Sequence, residues 1–434
     1  MIGTAKGNGV AMAEHCDSYY AATANDRRAH PVLKGREQAD VCIVGAGFTG
    51  LSAALTLAER GFSVAVIEAR RVGWGASGRN GGQLIGDPGT ESRMRHRLGA
   101  DFADLLWSLR WRGHEIIEER VRRYAIDCDL KPGYLDVAIK PRHLQELRAD
   151  HAYLQSRGFA HEAKLLTGAE VADLLGTSVY IGGLTNLRNG HLHPLNLCLG
   201  EARAAESLGA RIYENSPVSR IVHGTRPRVL VADGEVEADA VLLAGDAYHR
   251  LEGGRLSGLT YTAGSFIMAT ERLPGDVVRR INPRDLAVCD ANYLLDYFRL
   301  SADRRLLFGG RCNYSGREPR SIQRSLLPRM RKLYPELRNI AIQYEWGGRI
   351  GVVPNRIPLL GRISPNVFFA QGYSGNGVNM SHIAGEITAD AIGGTLTRLD
   401  LFERIDHRRL PLGQWGGDRL MALGLIYYRL RDLL

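Results

Sequence analysis

The chain has 434 residues, 44% hydrophobic and 24% charged, enough for two domains with sizeable apolar cores and unlike a disordered or fibrous protein. A net charge of +9 would suit a polyanion, but the basic residues are scattered as pairs (Arg27-Arg28, Arg279-Arg280, Arg304-Arg305, Arg408-Arg409), with no long basic run and no aromatic-rich RNA motif. No nucleic-acid partner is therefore expected, and the modest positive field favours an anionic small molecule.

Residues 1–39 read as a lead-in draped over the surface. Asp40–Val44 is a short apolar strand, followed by Gly45-Ala-Gly-Phe-Thr-Gly50 and by Leu51, Ala54, Leu55 and Ala58 at helical spacing, with Gly61 where a C-cap belongs. Ser63–Glu68 is a second strand ending in a carboxylate. Each part has its own task at a dinucleotide. Gly45 permits the tight turn, Gly47 lets a pyrophosphate approach the backbone, and Gly50 lets the helix pack closely on the sheet. The helix N-terminus offers N–H groups and a positive dipole end. Glu68 lies about 20 residues on, as a ribose-binding carboxylate should. Arg70 and Arg71 hint at a 2′-phosphate, but Glu68 would repel it, which disfavours NADP. The next segment, Val72–Gln83, is rich in small residues where a nicotinamide fold would enter another helix and strand. Such a strip suits close backbone approach to a wide, flat ligand and points to a flavin.

Further along, residues 101–123 read as one long helix with Phe102, Leu105, Leu106 and Leu109 at core spacing. Tyr134–Ile139 alternates like a strand, Pro141–Arg157 reads as a helix, and another helix starts at Pro194 and ends at Gly209. Ser216–Val222 and Asp239–Leu243 are expected to extend the parallel sheet. Tyr261–Thr270, Tyr293–Leu300 and Arg305–Gly310 alternate, with Ser301–Arg304 as a hairpin turn, and predict an antiparallel sheet. Asn366–Gln371 is a strand, then come glycines, then a helix near Val378 whose positive end would face a second part of the ligand. A site built from three remote stretches suits FAD, which is long.

Gly73–Gln83 (GWGASGRNGGQ), the Tyr297-Phe-Arg and Leu306–Gly310 hairpin and Gln371–Val378 (QGYSGNGV) resemble the D-amino-acid-oxidase-type FAD amine oxidoreductases. Ser18–Asn25, Ile126–Asp129, His191–Asn196, Asn292–Tyr297 and Tyr427–Asp432 resemble the subgroup within it that acts on gamma-glutamylated polyamines. The resemblance runs from about Ser18 to the end. It implies non-covalent FAD held at Gly45, Gly47, Gly50, Glu68, Ser77, Asn80, Gly82, Val218, Gly245 and Gly372 to Val378, including Tyr373, Gly375, Asn376 and Gly377. The neighbouring Phe48, Thr49, Ala69, Arg70, Ala76, Arg79, Gly81 and Ala244 complete the candidate set. Some relatives attach their flavin to a Cys, but Arg349–Asn355, the corresponding segment, has none.

The expected fold is α/β: a Rossmann-like FAD-binding domain of the glutathione-reductase type with a discontinuous α+β substrate domain on a mostly antiparallel sheet. Residues 40–95, 185–255 and 346–434 are assigned to the first, 96–184 and 256–345 to the second, with a ligand site between them. The resemblance implies oxidation of an amine C–N bond, with hydride transfer to flavin N5 and hydrolysis of the imine to an aldehyde, on gamma-glutamylputrescine or a related polyamine. The alternatives are an amino-acid or secondary-amine dehydrogenase or oxidase acting on glycine, sarcosine or a D-amino acid, a flavin-binding RNA-interacting protein, and an NAD-dependent dehydrogenase.

Hydride loss needs a neutral amine, and an apolar pocket favours that form. The helix after Gly375-Asn-Gly377 is the candidate for stabilising charge on a reduced flavin. Tyr293, Tyr297, Trp346 and Tyr373 are candidate pocket walls, although Tyr297 and Trp346 read equally well as core. Arg311, Arg349 and Arg356 are candidates for a substrate carboxylate. No catalytic base is assigned, and His193 reads as a structural hydrogen-bonder. No Lys occurs between Lys164 and Lys332, so oxygen or another electron acceptor is open. The six Cys form no CxxC and no metal spacing, as for free thiols in a cytoplasmic protein. No leader or membrane span is evident, and the apolar tail Leu420–Tyr428 is expected to pack on the body.

Overall fold

The computed structural model describes residues 14–86, 99–159, 161–292, 294–313, 319 and 321–409, with backbone alone at 311–313. Five parallel strands lie side by side in the order Val367–Gln371, Gly234–Leu243, Gly35–Val44, Val64–Ile67 and Arg211–Tyr213, with Leu359–Ser364 antiparallel at one edge. Val44 is level with Leu243 on one side and Ile67 on the other. The chain therefore leaves three adjacent strands at one edge of the sheet, at Gly45, Gly245 and Gly372.

Val64–Ile67 is buried throughout, as a strand covered on both faces must be. The helix Phe48–Glu59 follows the first strand and is buried from Phe48 to Ala58. Burying each of its leucines stabilises the fold by about 1.5–3 kcal/mol. It packs on the helix Gly377–Ile392 through small residues. A Cβ on Gly385 would stand 2.6 Å from Cβ of Ser52. Gly61, at φ +85°, follows the helix end as expected.

A second sheet of nine strands runs Ile342–Val352, Tyr261–Thr270, Leu306–Asn313, Asp296–Leu300, Ala287–Asp290, Lys131–Ala138, Gly182–His191 and Gln83–Leu84, with Ala163–Thr167 also paired to Gly182–His191. Ala287–Asp290 and Lys131–Ala138 pair in parallel, and the other pairs are antiparallel. The Ser301–Arg304 turn forms as expected, closed by the Ser301 N–H on the Arg305 carbonyl at 2.9 Å.

Several expectations differ from the structure. The stretch 101–123 is two helices, Ala100–Leu109 and Arg112–Arg123, broken at Arg110-Trp111. The strand that rejoins the parallel sheet is Arg211–Tyr213, whereas Arg220–Val222 pairs antiparallel with Arg228–Leu230 outside the parallel run. Lys131–Ala138 is mostly buried on both faces rather than alternating. The divisions at 185 and 346 both fall inside strands of the second sheet. The tail Leu420–Tyr428 lies outside the described residues. Among those described, no helix is long and apolar enough to cross a membrane.

Candidate functional site

A cavity of about 1240 Å³ runs from the carboxyl ends of the parallel strands to the face of the second sheet. Drug-sized ligands occupy roughly 300–1,000 Å³, so this volume suits a longer molecule together with a second, smaller one. Its near end is built by the first strand turn. Gly45 takes φ +110°, and a Cβ there would stand 3.0 Å from the Ala244 carbonyl oxygen. A Cβ on Gly47 would stand 2.8 Å from Ser77 Oγ, inside the cavity lining, and one on Gly50 would meet the Gly45 oxygen at 1.9 Å. The three glycines thus differ in what they permit: a tight turn at Gly45, a backbone open to the cavity at Gly47 and close helix packing at Gly50.

Glu68 accepts the Ala46 N–H at 2.8 Å on one oxygen and the Arg70 N–H at 2.9 Å on the other. Burial pushes its carboxyl above the ordinary range, against the pull of those N–H groups. Ser77 Oγ accepts the Phe48 N–H at 2.9 Å, so the glycine strip is tied to the first turn of the fingerprint helix. Asn80 locks the strip by donating to the Ala76 and Ser77 carbonyls at 3.1 and 2.8 Å and accepting from the Gly82 N–H at 2.8 Å. Arg79 donates from Nε to the Trp74 carbonyl at 2.7 Å, with its guanidinium 4.1 Å from the Trp74 ring centre.

The C-terminal stretch closes the same cavity. Tyr373 and Thr49 share a hydrogen bond at 2.6 Å, joining the two glycine-bearing turns, and burial pushes the Tyr373 phenol up. Ala244, Gly245, Val218, Gly375, Asn376, Gly377 and Val378 line the cavity with Ala69, Ala76 and Gly81. Gly50, Arg70, Gly82 and Gly372 do not line it and shape its frame instead. A Cβ on Gly82 would meet the Leu192 oxygen at 2.2 Å, and the Arg70 guanidinium sits 4.5 Å from the Trp74 ring centre.

At the far end the candidates separate. Tyr297 lines the cavity, with its hydroxyl 3.0 Å from Ser265 Oγ. Its ring fits because Gly309 and Gly81 have no Cβ, which would stand 2.3 and 2.7 Å from ring carbons. Trp346 does not line the cavity. It is core, donating from Nε1 to the Arg79 carbonyl at 2.9 Å and packing edge-on to Tyr20. Arg349 is exposed and outside the lining, whereas Arg356 lines it and donates to the Ser374 carbonyl at 3.3 Å. Tyr293 and the side chain of Arg311 lie outside the described residues. His193 is an N-cap: Nδ1 accepts the Asn196 N–H at 3.1 Å, so Nε2 carries the proton toward Thr23 Oγ1 at 3.0 Å.

The family-model match covers most of the same frame. Residues 40–391 match the model described as DAO, FAD dependent oxidoreductase. The chain belongs to this family of FAD-dependent oxidoreductases. Gamma-glutamylputrescine oxidoreductase of Escherichia coli (strain K12) is 41% identical over 98% of this chain and 100% of its own length. A probable oxidoreductase, OrdL, of Haemophilus influenzae is 39% identical over 97% and 98%. Among solved structures, glycine oxidase from Geobacillus kaustophilus superposes with a TM-score of 0.72 at 24% identity, over 85% of this chain and all of that one (100%). L-proline dehydrogenase from P. horikoshii gives 0.70 at 21%, over 86% and 100%. The structural likeness confirms the two-sheet fold, and FAD is the family's cofactor.

Sequence reasoning missed Asp246 and Arg110. Asp246 lines the cavity at φ +42°, in the left-handed region that Asp and Asn tolerate better than most residues. Its carboxylate accepts the Gly372 N–H at 2.7 Å and the Gly351 N–H at 2.9 Å. An acid just after a strand-ending glycine was the available signal. Arg110 sits in the unforeseen helix break, 3% exposed, with its guanidinium 4.8 Å from the Trp107 ring centre, and it also lines the cavity. Among the described residues no group of His, Cys, Asp and Glu could hold a metal, and Cys16, Cys42, Cys128, Cys198 and Cys289 are free thiols.

Proposed function

We propose that this chain oxidises the terminal C–N bond of a gamma-glutamylated polyamine, with gamma-glutamylputrescine as the first choice. The observation that carries the reading is 41% identity to a gamma-glutamylputrescine oxidoreductase along essentially the whole of both chains. Bound FAD supplies an acceptor for a hydride. The fingerprint turn at Gly45–Gly50, Glu68 and the Ser77–Gly81 strip would hold its dinucleotide, and the loop Gly372–Val378 its ring end, without a covalent bond. The first sheet then serves the cofactor and the second the substrate.

The wall offered by the second sheet includes Ala263, Ser265, Cys289 and Tyr297, and its described lining residues include no carboxylate and no lysine. Such a wall disfavours an ammonium and so supports the neutral amine that hydride loss requires. Arg356 is the candidate cation for a glutamyl carboxylate among those first considered. The oxidised amine leaves as an imine that water hydrolyses to an aldehyde, and oxygen or another carrier takes the electrons.

The test is anaerobic bleaching of the flavin by a panel of amines. Gamma-glutamylputrescine should bleach it fastest, ahead of putrescine, spermidine, glycine, sarcosine and D-amino acids. Faster bleaching by glycine or a D-amino acid replaces this substrate with an amino acid. Hydrogen peroxide yield against dye reduction identifies the acceptor.

A further inference from the structure

A short stretch of chain joins the Tyr297 wall to a buried arginine. At one end Gly81 lies against Tyr297, where a Cβ would stand 2.7 Å from the ring. At the other end Gly86 lies against Arg110 and Trp111, where a Cβ would stand 3.0 Å from Arg110 Cγ and 2.5 Å from Trp111 Cζ3. Between them Gln83 and Ile85 line the cavity, while Leu84 belongs to the core. Gln83 donates from Nε2 to the Val288 carbonyl at 3.1 Å, beside Cys289 and its strand partner Tyr297. The Gly86 N–H donates to Asn189 Oδ1 at 2.9 Å, which pins the far end. The cavity therefore continues from Tyr297 along this stretch to Arg110.

Arg110 is held there as a buried cation. Its carbonyl accepts Asn379 Nδ2 at 2.9 Å, and its guanidinium lies 4.8 and 5.6 Å from the centres of the Trp107 and Trp111 rings. Aromatic faces attract a cation, and a guanidinium keeps its charge where a buried ammonium would lose its proton. Its planar fork also matches a carboxylate. Arg356 is exposed, and a pair of charges in water contributes little.

We infer that Arg110 receives the α-carboxylate of the gamma-glutamyl group, with the substrate laid along Gly81–Gly86 and its amine end at Tyr297. The inference rests on the substrate reading above and names the residue that sets its length. The chain from Gly81 to Gly86 spans at most about 18 Å. In gamma-glutamylputrescine roughly ten bonds separate the amine nitrogen from the carboxylate carbon, about 12 Å at the reach of an extended chain. The arginine side chain covers the remainder. In glycine or a D-amino acid the carboxylate is attached to the carbon that bears the amine, so such a molecule cannot reach both ends. Arg110 is thus a specificity-determining residue for the long substrate.

The probes are gamma-glutamylputrescine and its α-amide, which differ only at the carboxylate, each used to reduce the flavin of the holoenzyme without oxygen. In the wild type the KM for the amide should exceed that for the acid by about 30-fold or more, the loss of a charge-assisted pair. In Arg110→Gln, purified yellow, the gap should close to within about three-fold, as for a pair whose other member is already gone. Arg110→Lys should fall between, because a point charge lacks the fork. Arg356→Gln should keep the gap. Equal KM for acid and amide in the wild type overturns the inference, and that comparison needs no variant to fold. A gap that persists in Arg110→Gln, or that closes in Arg356→Gln instead, also overturns it while leaving the substrate reading in place. A wild type that gamma-glutamylputrescine does not bleach removes the substrate reading and this inference together, and shows it before any variant is made.

Discussion

The Asp246 carboxylate accepts the Gly372 N–H at 2.7 Å, binding the end of one parallel strand to the end of its neighbour across 126 positions of chain. Its other oxygen accepts the Gly351 N–H at 2.9 Å from a strand of the second sheet, so one side chain ties both sheets at the cavity. Removing it would leave N–H groups of Gly372 and Gly351 without their partner, at about 1–3 kcal/mol each where water cannot replace it. Asp246→Ala should therefore lower stability by about 2 kcal/mol or more and shed FAD, read as early flavin fluorescence in a thermal melt. Asp246→Asn keeps an acceptor oxygen and tolerates the positive φ, so it should lie between the two. An alanine variant that retains FAD at the wild-type melting point would remove Asp246 from this role.

Gly47 and Gly50 should fail in different ways. A Cβ at Gly50 would stand 1.9 Å from a backbone oxygen, which cannot move without pulling the helix off the strand. Gly50→Ala should thus unfold or aggregate the protein. A Cβ at Gly47 meets only a serine side chain, at 2.8 Å, but enters the space where a phosphate would lie. Gly47→Ala should purify folded and colourless, with unchanged far-UV circular dichroism and FAD affinity down by roughly 100-fold or more, about the loss expected from displacing a charged group that was fully hydrogen-bonded. Equal FAD content in Gly47→Ala and the wild type would place the pyrophosphate elsewhere.

The features legible in the sequence were local ones. Gly45, Gly47, Gly50 and Glu68 belong to one turn and two strands within a short stretch, so spacing alone places them together. Ala244 and Gly372 were legible because an apolar run ending in small residues marks a strand edge wherever it occurs. The break at Arg110 was not, because Phe102, Leu106 and Leu109 keep helical spacing right up to it. What ends the helix is tertiary. Asn379 donates to the Arg110 carbonyl at 2.9 Å, and Gly113 must lack a Cβ because one would lie 2.2 Å from Asn379 Oδ1. Arg220–Val222 could not be sorted from a parallel strand, since alternation does not encode the direction of a partner. Trp346 had the composition of a pocket wall and the position of a core residue, and only packing decides between those.

Three buried histidines set an acid limit on stability. In His114, His191 and His193 burial, aided by Arg188 in the first and Arg299 in the other two, lowers the imidazole pKa to about 3. An unfolded chain protonates these groups near 6.5, so between about 6.5 and 3 the unfolded state binds more protons and stability falls as pH falls. Each can contribute a slope of up to about 1.4 kcal/mol per pH unit. His30 works the other way. Burial opposes its charge, but Glu206 and Glu214 raise it to about 9, so its contribution is full below 6.5 and fades as pH rises toward 9. Chemical denaturation from pH 8 to 5 should show stability dropping well before carboxylates titrate. His193→Asn, which keeps an N-cap acceptor, should flatten that drop. A profile flat to pH 5 contradicts these assignments.

Tyr297 is where substrate geometry should show in kinetics. Its ring is fixed between Gly81 and Gly309, and its hydroxyl is 3.0 Å from Ser265 Oγ. Tyr297→Phe keeps the ring and should change the amine KM by less than about three-fold, the effect of one modest hydrogen bond. Tyr297→Ala opens the wall and should raise KM about ten-fold or more while the protein stays yellow, because a buried aromatic face is worth a few kcal/mol. The same wall governs pH dependence. An alkylamine titrates near 10, and the described lining from the second sheet has no carboxylate to take its proton. At subsaturating amine, the rate of anaerobic flavin reduction should therefore climb about ten-fold per pH unit between roughly 7 and 9 in the wild type and in Tyr297→Phe alike, tracking the neutral fraction of the amine. A rate independent of pH over that range would mean that the ammonium binds and loses its proton to a group of the protein, and the wall would then have a base among its neighbours.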